Sequence, residues 1–246
     1  MSVIDEIMQR ETAVWINGQI NELPDRAKFR ASSALRSLQW ANDIYESGMP
    51  IPACFCALHA TEEAVSAFIS CAKVCGYSGA KMINIKDHAA KATVSLMAQK
   101  VSGMLLQYKV AVGFDPRTDA LAVRYALDGK TLFNEASTKL FHFHDGQGSI
   151  RPDFYEELVN MFGDVDELKA AVKIGQEARN EIFYATSAGY PTGFNKPEES
   201  LGRECQISLG LIWAALDMKA NENELIPFIV QALQTANIVI AELKKK

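Results

Sequence analysis

Two adjacent acids, Glu62 and Glu63, interrupt the most apolar helical stretch of the sequence. Glu62 lies on a stripe whose other members are apolar and whose spacing of three and four residues marks one face of a helix. A carboxylate on such a face is costly unless a cation or a hydrogen-bond donor meets it. The position therefore predicts either an ion pair with another helix or an acid in a functional groove. Glu63 lies one step round the helix and His59 one turn before it, so the three side chains are candidates for a polar network.

The segment Lys86-Asp-His-Ala-Ala-Lys91 places two cationic or titratable side chains on one helical face. His88 and Lys91 are three residues apart, and Asp87 and Lys91 are four apart, which fits an ordinary first helical turn with a local ion pair. The alternative is that His88 or Lys91 points at the acid pair across a helix bundle. Both interpretations remain open from the sequence.

A third polar cluster is the segment Arg179-Asn-Glu-Ile-Phe-Tyr184. Asn180 and Tyr184 lie one turn apart on one face, and the side chain of Arg179 is long enough to reach the same groove. Arginine binds phosphate well because its planar guanidinium donates two parallel hydrogen bonds. The alternative is a surface Arg179 that pairs with Glu177 or Glu181.

Metal-binding residue types do not occur in the spacing that a metal site needs. His142 and His144 lack a third ligand beyond the adjacent Asp145, and no Glu-x-x-His motif is present for a di-iron site. Four of the five cysteines form two close pairs within one predicted helix, which separates the pairs by roughly 20–25 Å. These cysteines are predicted to be reduced and to serve packing. We therefore predict no metal and no cofactor.

Helical periodicity dominates the elements that position these residues, and it predicts an all-α helical bundle. The stretch 52–75 is apolar almost all round, which is typical of a central, buried helix. Asp164-x-x-Glu167 resembles a capping box that opens a later helix. The predicted helices cover approximately residues 2–20, 24–47, 52–75, 86–108, 164–182, 198–219 and 225–243.

One segment departs from the helical pattern. Leu121, Val123, Tyr125 and Leu127 alternate with other residues and lead into Asp128-Gly129, which is the signature of a tight β-hairpin. We therefore predict that residues 113–150 form a small insertion containing a hairpin, which projects from the helical body.

Length and charge limit the classes of function. The chain has 246 residues and a net charge of −5, because 25 Lys and Arg are outnumbered by 30 Asp and Glu. This predicts a single domain, residues 1–246, and excludes a protein coated in cations for non-specific duplex binding, although not a local basic groove. Acids at the N-terminus and polar residues within the apolar stretches predict no signal peptide and no membrane association. The odd number of cysteines, placed within apolar helical stretches, predicts reduced thiols and a cytoplasmic location.

Taken in order, these segments resemble the HEPN superfamily of small helical bundles, and more narrowly its AbiV-like abortive-infection branch. The resemblance covers approximately residues 27–110 and 165–219 and leaves the insertion outside it. Its order is an Ala-rich helix with a Gly turn, a Glu-Glu pair, a His-x-x-Lys segment, and an Arg-led segment before a loop and a closing helix. The matching segments are 34–48, Glu62-Glu63, His88-Ala-Ala-Lys91, and Arg179 to Tyr184 with the loop up to Pro197.

The resemblance implies a role in phage defence or as a toxin. Many HEPN proteins cut RNA without a metal ion at a dimer interface, with an arginine followed four to six residues later by a histidine. It therefore implies a homodimer, RNA as the target, and an antitoxin or phage protein as a partner. In this chain Arg179 would bind the scissile phosphate and Asn180 would orient it. The groove residues that it implies are Arg179, Asn180, Tyr184, Glu62, Glu63 and His88.

The chain departs from the family pattern at three places. Tyr184 stands where the family has its histidine, and an unperturbed tyrosine, with a pKa near 10, is a poor base at neutral pH. Ala64-Val-Ser66 replaces a common lysine, and Ala185-Thr186 replaces an aspartate.

Three hypotheses follow. The first is a metal-independent endoribonuclease, and the second is a non-catalytic helical module that binds a nucleotide, RNA or a protein. The third is a structural subunit whose polar clusters hold helices together.

Overall fold

The protein is mostly helical, with one small antiparallel sheet. The computed structural model describes residues 2–115, 117–118, 120–183 (the backbone alone for 178–183) and 196–245. Within this part of the chain, no helix is both long enough and apolar enough to span a bilayer. The elements are α1 Val3–Met8, α2 Glu11–Gln19, α3 Asp25–Glu46, α4 Pro50–Val74, α5 Ser78–Lys81, α6 His88–Gln107, β1 Ala111–Asp115, β2 Ala120–Leu127, β3 Lys130–Glu135, α7 Tyr155–Phe162, α8 Val165–Phe183, α9 Pro197–Ala220 and α10 Pro227–Leu243.

Helix α4 lies at the centre of the bundle, as its apolar sequence predicts. It packs most extensively on α3 and α9, and it also contacts α6 and α8. Small residues line these contacts and let the helix backbones approach closely. The fully buried alanines of α3 and α4 include Ala27, Ala31, Ala34, Ala41, Ala53, Ala57, Ala60, Ala64 and Ala67.

The predicted first helix, residues 2–20, is two helices. Arg10 has an extended backbone, with φ −66° and ψ 141°, which separates α1 from α2. Both helices pack on α9, and the break lets each take its own direction across it. Neither Gly nor Pro marks this break in the sequence, so the helical periodicity predicts one continuous helix where the structure has two.

The hairpin predicted around Asp128-Gly129 is present. Strands β2 and β3 are antiparallel, with Leu127 paired to Lys130, and the two turn residues have φ values of 50° and 73°. This is the conformation that favours Asp-Gly in two-residue hairpins. A third strand that was not predicted, β1, pairs with β2 and places the start of the sheet at Ala111 rather than at residue 113.

The segment that follows the sheet is held against the bundle rather than projecting from it. The Asp217 carboxylate of α9 accepts a hydrogen bond from the Thr138 backbone N–H at 2.7 Å. Gln231 of α10 donates to the carbonyls of Phe143 and Arg151, each at 2.8 Å, and accepts from the Phe143 N–H at 3.0 Å. Both of these polar residues are buried, so the bundle supplies hydrogen-bond partners for an otherwise irregular chain.

Candidate functional site

The candidate site lies between α4 and α6, with α8 packed against both helices. Asp87 is the N-cap of α6, and its carboxylate accepts a hydrogen bond from the Ala89 N–H at 2.9 Å. An N-cap aspartate satisfies an unpaired donor of the first turn and fixes where the helix begins. His88 and Lys91 therefore lie on a defined first turn, facing α4.

Glu62 of α4 meets both of these side chains. Its Oε1 is 3.0 Å from Nδ1 of His88, and its Oε2 is 3.3 Å from Nζ of Lys91. The exposed fractions of the side chains are 20% for Glu62, 11% for Lys91 and 47% for His88. One carboxylate thus binds an almost buried ammonium on one side and a half-exposed imidazole on the other. The contact across the bundle that the sequence left open is present.

Glu63 takes a different direction from Glu62. Its carboxylate oxygens lie 3.2 and 3.3 Å from Nη1 of Arg30 in α3. His59 makes no hydrogen bond or ion pair with the residues that the structure describes. Among the described residues, the predicted network of Glu62, Glu63 and His59 is therefore not formed. Glu62 and Glu63 are adjacent, so they point about 100° apart and reach different helices.

The remaining predicted site residues belong to the C-terminal end of α8 and the chain beyond it. Arg179 and Asn180 are in the last turns of α8, where the backbone alone is described, and Tyr184 lies outside the described residues. Helix α8 contacts both α4 and α6. The helix that carries Arg179 and Asn180 therefore packs on the helices that carry Glu62 and His88.

A second polar cluster, which the sequence analysis missed, lies between α4 and α9. Glu204 of α9 is buried, and its Oε2 accepts a hydrogen bond from Oγ1 of Thr61 at 2.8 Å. Its Oε1 accepts from Nε of Arg203 at 3.1 Å, and Oγ of Ser208 lies 3.1 Å from Oγ1 of Thr61. The buried carboxylate thus has a partner at each oxygen, as a buried acid requires.

Burial raises the pKa of the Glu204 carboxyl above its ordinary value, and the charge of Arg203 and the hydrogen bonds from Thr61 and Arg203 oppose this effect only in part. A signal for this residue was present in the sequence. Glu204 shares a helical face with Leu201, Ser208 and Leu211, which is the same pattern of an acid on an otherwise apolar stripe that singled out Glu62.

The cysteines lie in surroundings that disfavour the thiolate. Burial raises the pKa of Cys54 to about 11 and that of Cys205 to about 12. All five cysteines have free thiols. In the part of the chain that the structure describes, no three His, Cys, Asp or Glu side chains are grouped as a metal site would need. The rings of His142 and His144 pack edge to face, with their centres 4.4 Å apart.

Comparison of the chain with models of protein families, with characterised proteins and with solved structures found no match. The geometry of the described residues and the motif order of the sequence are therefore the two sources of information on function. The polar cluster of Glu62 with His88 and Lys91 joins two of the segments that make up this motif order.

Proposed function

We propose that the protein is an RNA-directed effector of the HEPN type, close to the AbiV-like branch, which acts in phage defence as a homodimer. The observation that carries the proposal is the contact of Glu62 with His88 and Lys91. It joins two of the segments on which the family resemblance rests, and α8, which carries the third, packs on both helices.

The contact between Glu62 and His88 has the form of an acid that orients a catalytic imidazole. An ionised carboxylate only accepts hydrogen bonds, so Nδ1 of His88 carries the hydrogen that faces Glu62. In the neutral imidazole Nε2 is then the proton acceptor, and half of this side chain is exposed to solvent. His88 is thereby suited to be the general base that the Arg-x4-Tyr segment lacks.

The proposed reaction needs no metal. Nε2 of His88 takes the proton of a ribose 2′-hydroxyl, and the 2′-oxygen forms a bond to phosphorus as the bond to the 5′-oxygen breaks. Arg179 binds the phosphate and stabilises its developing charge, and Asn180 orients it. Tyr184, a proton donor at neutral pH, protonates the departing 5′-oxygen. The products are a 2′,3′-cyclic phosphate and a free 5′-hydroxyl.

The test is cleavage of end-labelled single-stranded RNA in buffer with a chelator. We expect the wild-type protein to produce fragments that end in a cyclic phosphate. His88→Ala removes the base and Arg179→Ala removes the phosphate contact, and each should lower the rate by about a hundredfold or more. Circular dichroism of both variants confirms that they are folded.

His142→Ala is the matched control, since His142 is an exposed histidine of the insertion, outside the proposed groove. It should cleave at the wild-type rate. Absence of cleavage by the wild-type protein, or equal rates for wild type and both groove variants, would remove the catalytic claim.

The second candidate function is a helical module that binds RNA or a nucleotide in the same groove without cleaving it. The replacement of the family's histidine by Tyr184 favours it, because an unperturbed tyrosine is a poor base at neutral pH. Fluorescence anisotropy with labelled RNA distinguishes the two: binding without cleavage supports the module, and undiminished binding by Arg179→Ala shows that the groove is wrong.

A further inference from the structure

An apolar cavity lies along α6 beyond its first turn. Its volume is about 410 Å³, it is partly open to solvent, and residues of α2, α6, α9, α10 and β1 line it. Large apolar side chains, including Phe68, Val101, Trp213 and Phe228, form most of its wall. Volumes of this size and predominantly apolar walls are typical of sites for small molecules.

The cavity continues into a polar groove between α6 and α9. Ser102, Leu106, Gln206 and Ile207 line both spaces, so the two are contiguous. The groove also contains Lys100 and Arg203 and, among the described residues, no acid lines it. An apolar space therefore leads to a positively charged mouth.

Both cations at this mouth are available to an anion. Nζ of Lys100 lies 4.1 Å from the ring centre of Phe162 and 3.5 Å from the carbonyl of Met161, and it has no carboxylate partner in the described parts of the chain. Arg203 contacts Glu204 through Nε and Ser200 through Nη2, and its side chain is 43% exposed. Its guanidinium has further N–H groups to donate.

We propose that this cavity binds a single-chain amphiphile with a carboxylate head, in chemical terms a fatty acid. The chain fills the apolar cavity, and the carboxylate lies in the groove beside Lys100 and Arg203. The volume is near the lower end of the range for ligand sites, which fits one chain rather than two. The positive mouth selects an anionic head, since a cationic one would meet two like charges. The proposal does not depend on the proposed RNA function.

The test is calorimetric titration of the whole protein with fatty carboxylates of increasing length. Each added methylene should raise the affinity by roughly fourfold from octanoate to dodecanoate, because each buries further apolar surface. Dodecyltrimethylammonium, which has the same chain and the opposite charge, should bind at least about tenfold more weakly than dodecanoate. These two comparisons need no variant.

Gly210 of α9 is an exposed glycine at the cavity, and a larger side chain there narrows the space for a ligand. It lines the cavity, and a Cβ added there would meet no heavy atom within 4 Å. Gly210→Leu should therefore fold and lower the affinity for dodecanoate at least about tenfold. Gly18→Leu, on an exposed position of α2 where an added Cβ also meets nothing, is the matched control and should bind as the wild type does.

The charge of the mouth is tested with Lys100→Gln. This change should weaken the binding of dodecanoate and leave that of dodecanol unchanged, because the alcohol carries no charge. Equal binding of anionic and cationic amphiphiles, or unchanged dodecanoate binding by Gly210→Leu, would overturn the proposal. A wild-type dimer that Gly210→Leu converts to a monomer, with no dodecanoate binding by either, would make the cavity an interface between copies instead.

Discussion

Three consecutive residues of α4 contact three different helices. Thr61 donates to Glu204 of α9, Glu62 binds His88 and Lys91 of α6, and Glu63 binds Arg30 of α3. This follows from the helical step of about 100° per residue on a helix that is surrounded on all sides. Each polar side chain on such a central helix needs its own partner, so three polar contacts to three other helices lie at one level of α4.

The raised pKa of Glu204 makes one contribution to stability depend on pH. A carboxyl whose pKa is raised on folding binds its proton more tightly in the folded state. This stabilisation is complete at a pH below the pKa that Glu204 has in the unfolded chain. It is lost as the pH rises through the higher pKa that Glu204 has in the folded protein. Glu204→Gln removes the titration, so the free energy of unfolding of the variant relative to wild type should increase as the pH rises from 4 to 8, measured by urea denaturation.

Glu199→Gln is the control for this prediction, since Glu199 lies in the same helix and its side chain is 67% exposed. Its stability relative to wild type should change little with pH. A difference between Glu204→Gln and wild type that stays constant across this pH range would show that burial of Glu204 is not linked to proton binding.

The sequence predicted that Glu62 needs a partner, but it did not select the partner. An acid on an apolar helical face can be recognised from the sequence alone. The identity of the cation that pairs with it depends on how α6 is aligned along α4 in the folded protein. The partners of Glu204 were equally hidden in the sequence. Thr61 belongs to α4, which is far from α9 in the chain, and Arg203 is the residue before Glu204. The spacing of Leu201, Glu204 and Ser208 on one helical face nevertheless predicts that Glu204 is a buried acid.

At the scale of elements, the turn of the hairpin was predictable from the sequence, and the third strand of the sheet, β1, was not. Asp128-Gly129 is a local signal, because only a few residue types adopt positive φ at both turn positions. Strand β1 contains Gly113 and has weak alternation, so its conformation depends on pairing with β2, with Phe114 opposite Leu121. Non-local pairing of this kind leaves little trace in the strand's own residues.

Substitutions at Asp128 test how much this turn stabilises the sheet. Its φ of 50° is tolerated by Asn and strained for a β-branched residue, by about 1–2 kcal/mol. Asp128→Val should therefore increase hydrogen exchange of the β2 and β3 amides by roughly tenfold, measured by mass spectrometry. Asp128→Asn should leave their exchange unchanged or slow it, and in both variants the exchange of α4 should stay as in wild type. Equal exchange for both variants would contradict this account of the turn.

At the scale of the whole molecule, the insertion and the bundle form one packed unit. Asp217 and Gln231 bind the segment after the sheet, and β1 forms part of the wall of the apolar cavity. The proposed RNA groove lies among α4, α6 and α8, which are three of the helices that the family resemblance covers. The molecule thus carries its two proposed sites at different levels along α6, the first at His88 and Lys91 and the second from Val94 onwards.

The net charge of −5 sharpens the prediction for RNA binding. A protein of this charge attracts a polyanion only through a few local cations, so the salt dependence of binding should be shallow. The slope of log K against log salt for single-stranded RNA is about −0.7 per phosphate contact. Arg179→Ala should make this slope less negative by about 0.7 for each Arg179 that contacts phosphate. Fluorescence anisotropy between 50 and 300 mM KCl covers a range wide enough to resolve the change.

Arg26→Ala is the control, because Arg26 is an exposed arginine of α3 without an ion pair in the described residues. A slope that responds equally to both changes would mean that RNA is held by diffuse surface charge and not by the groove.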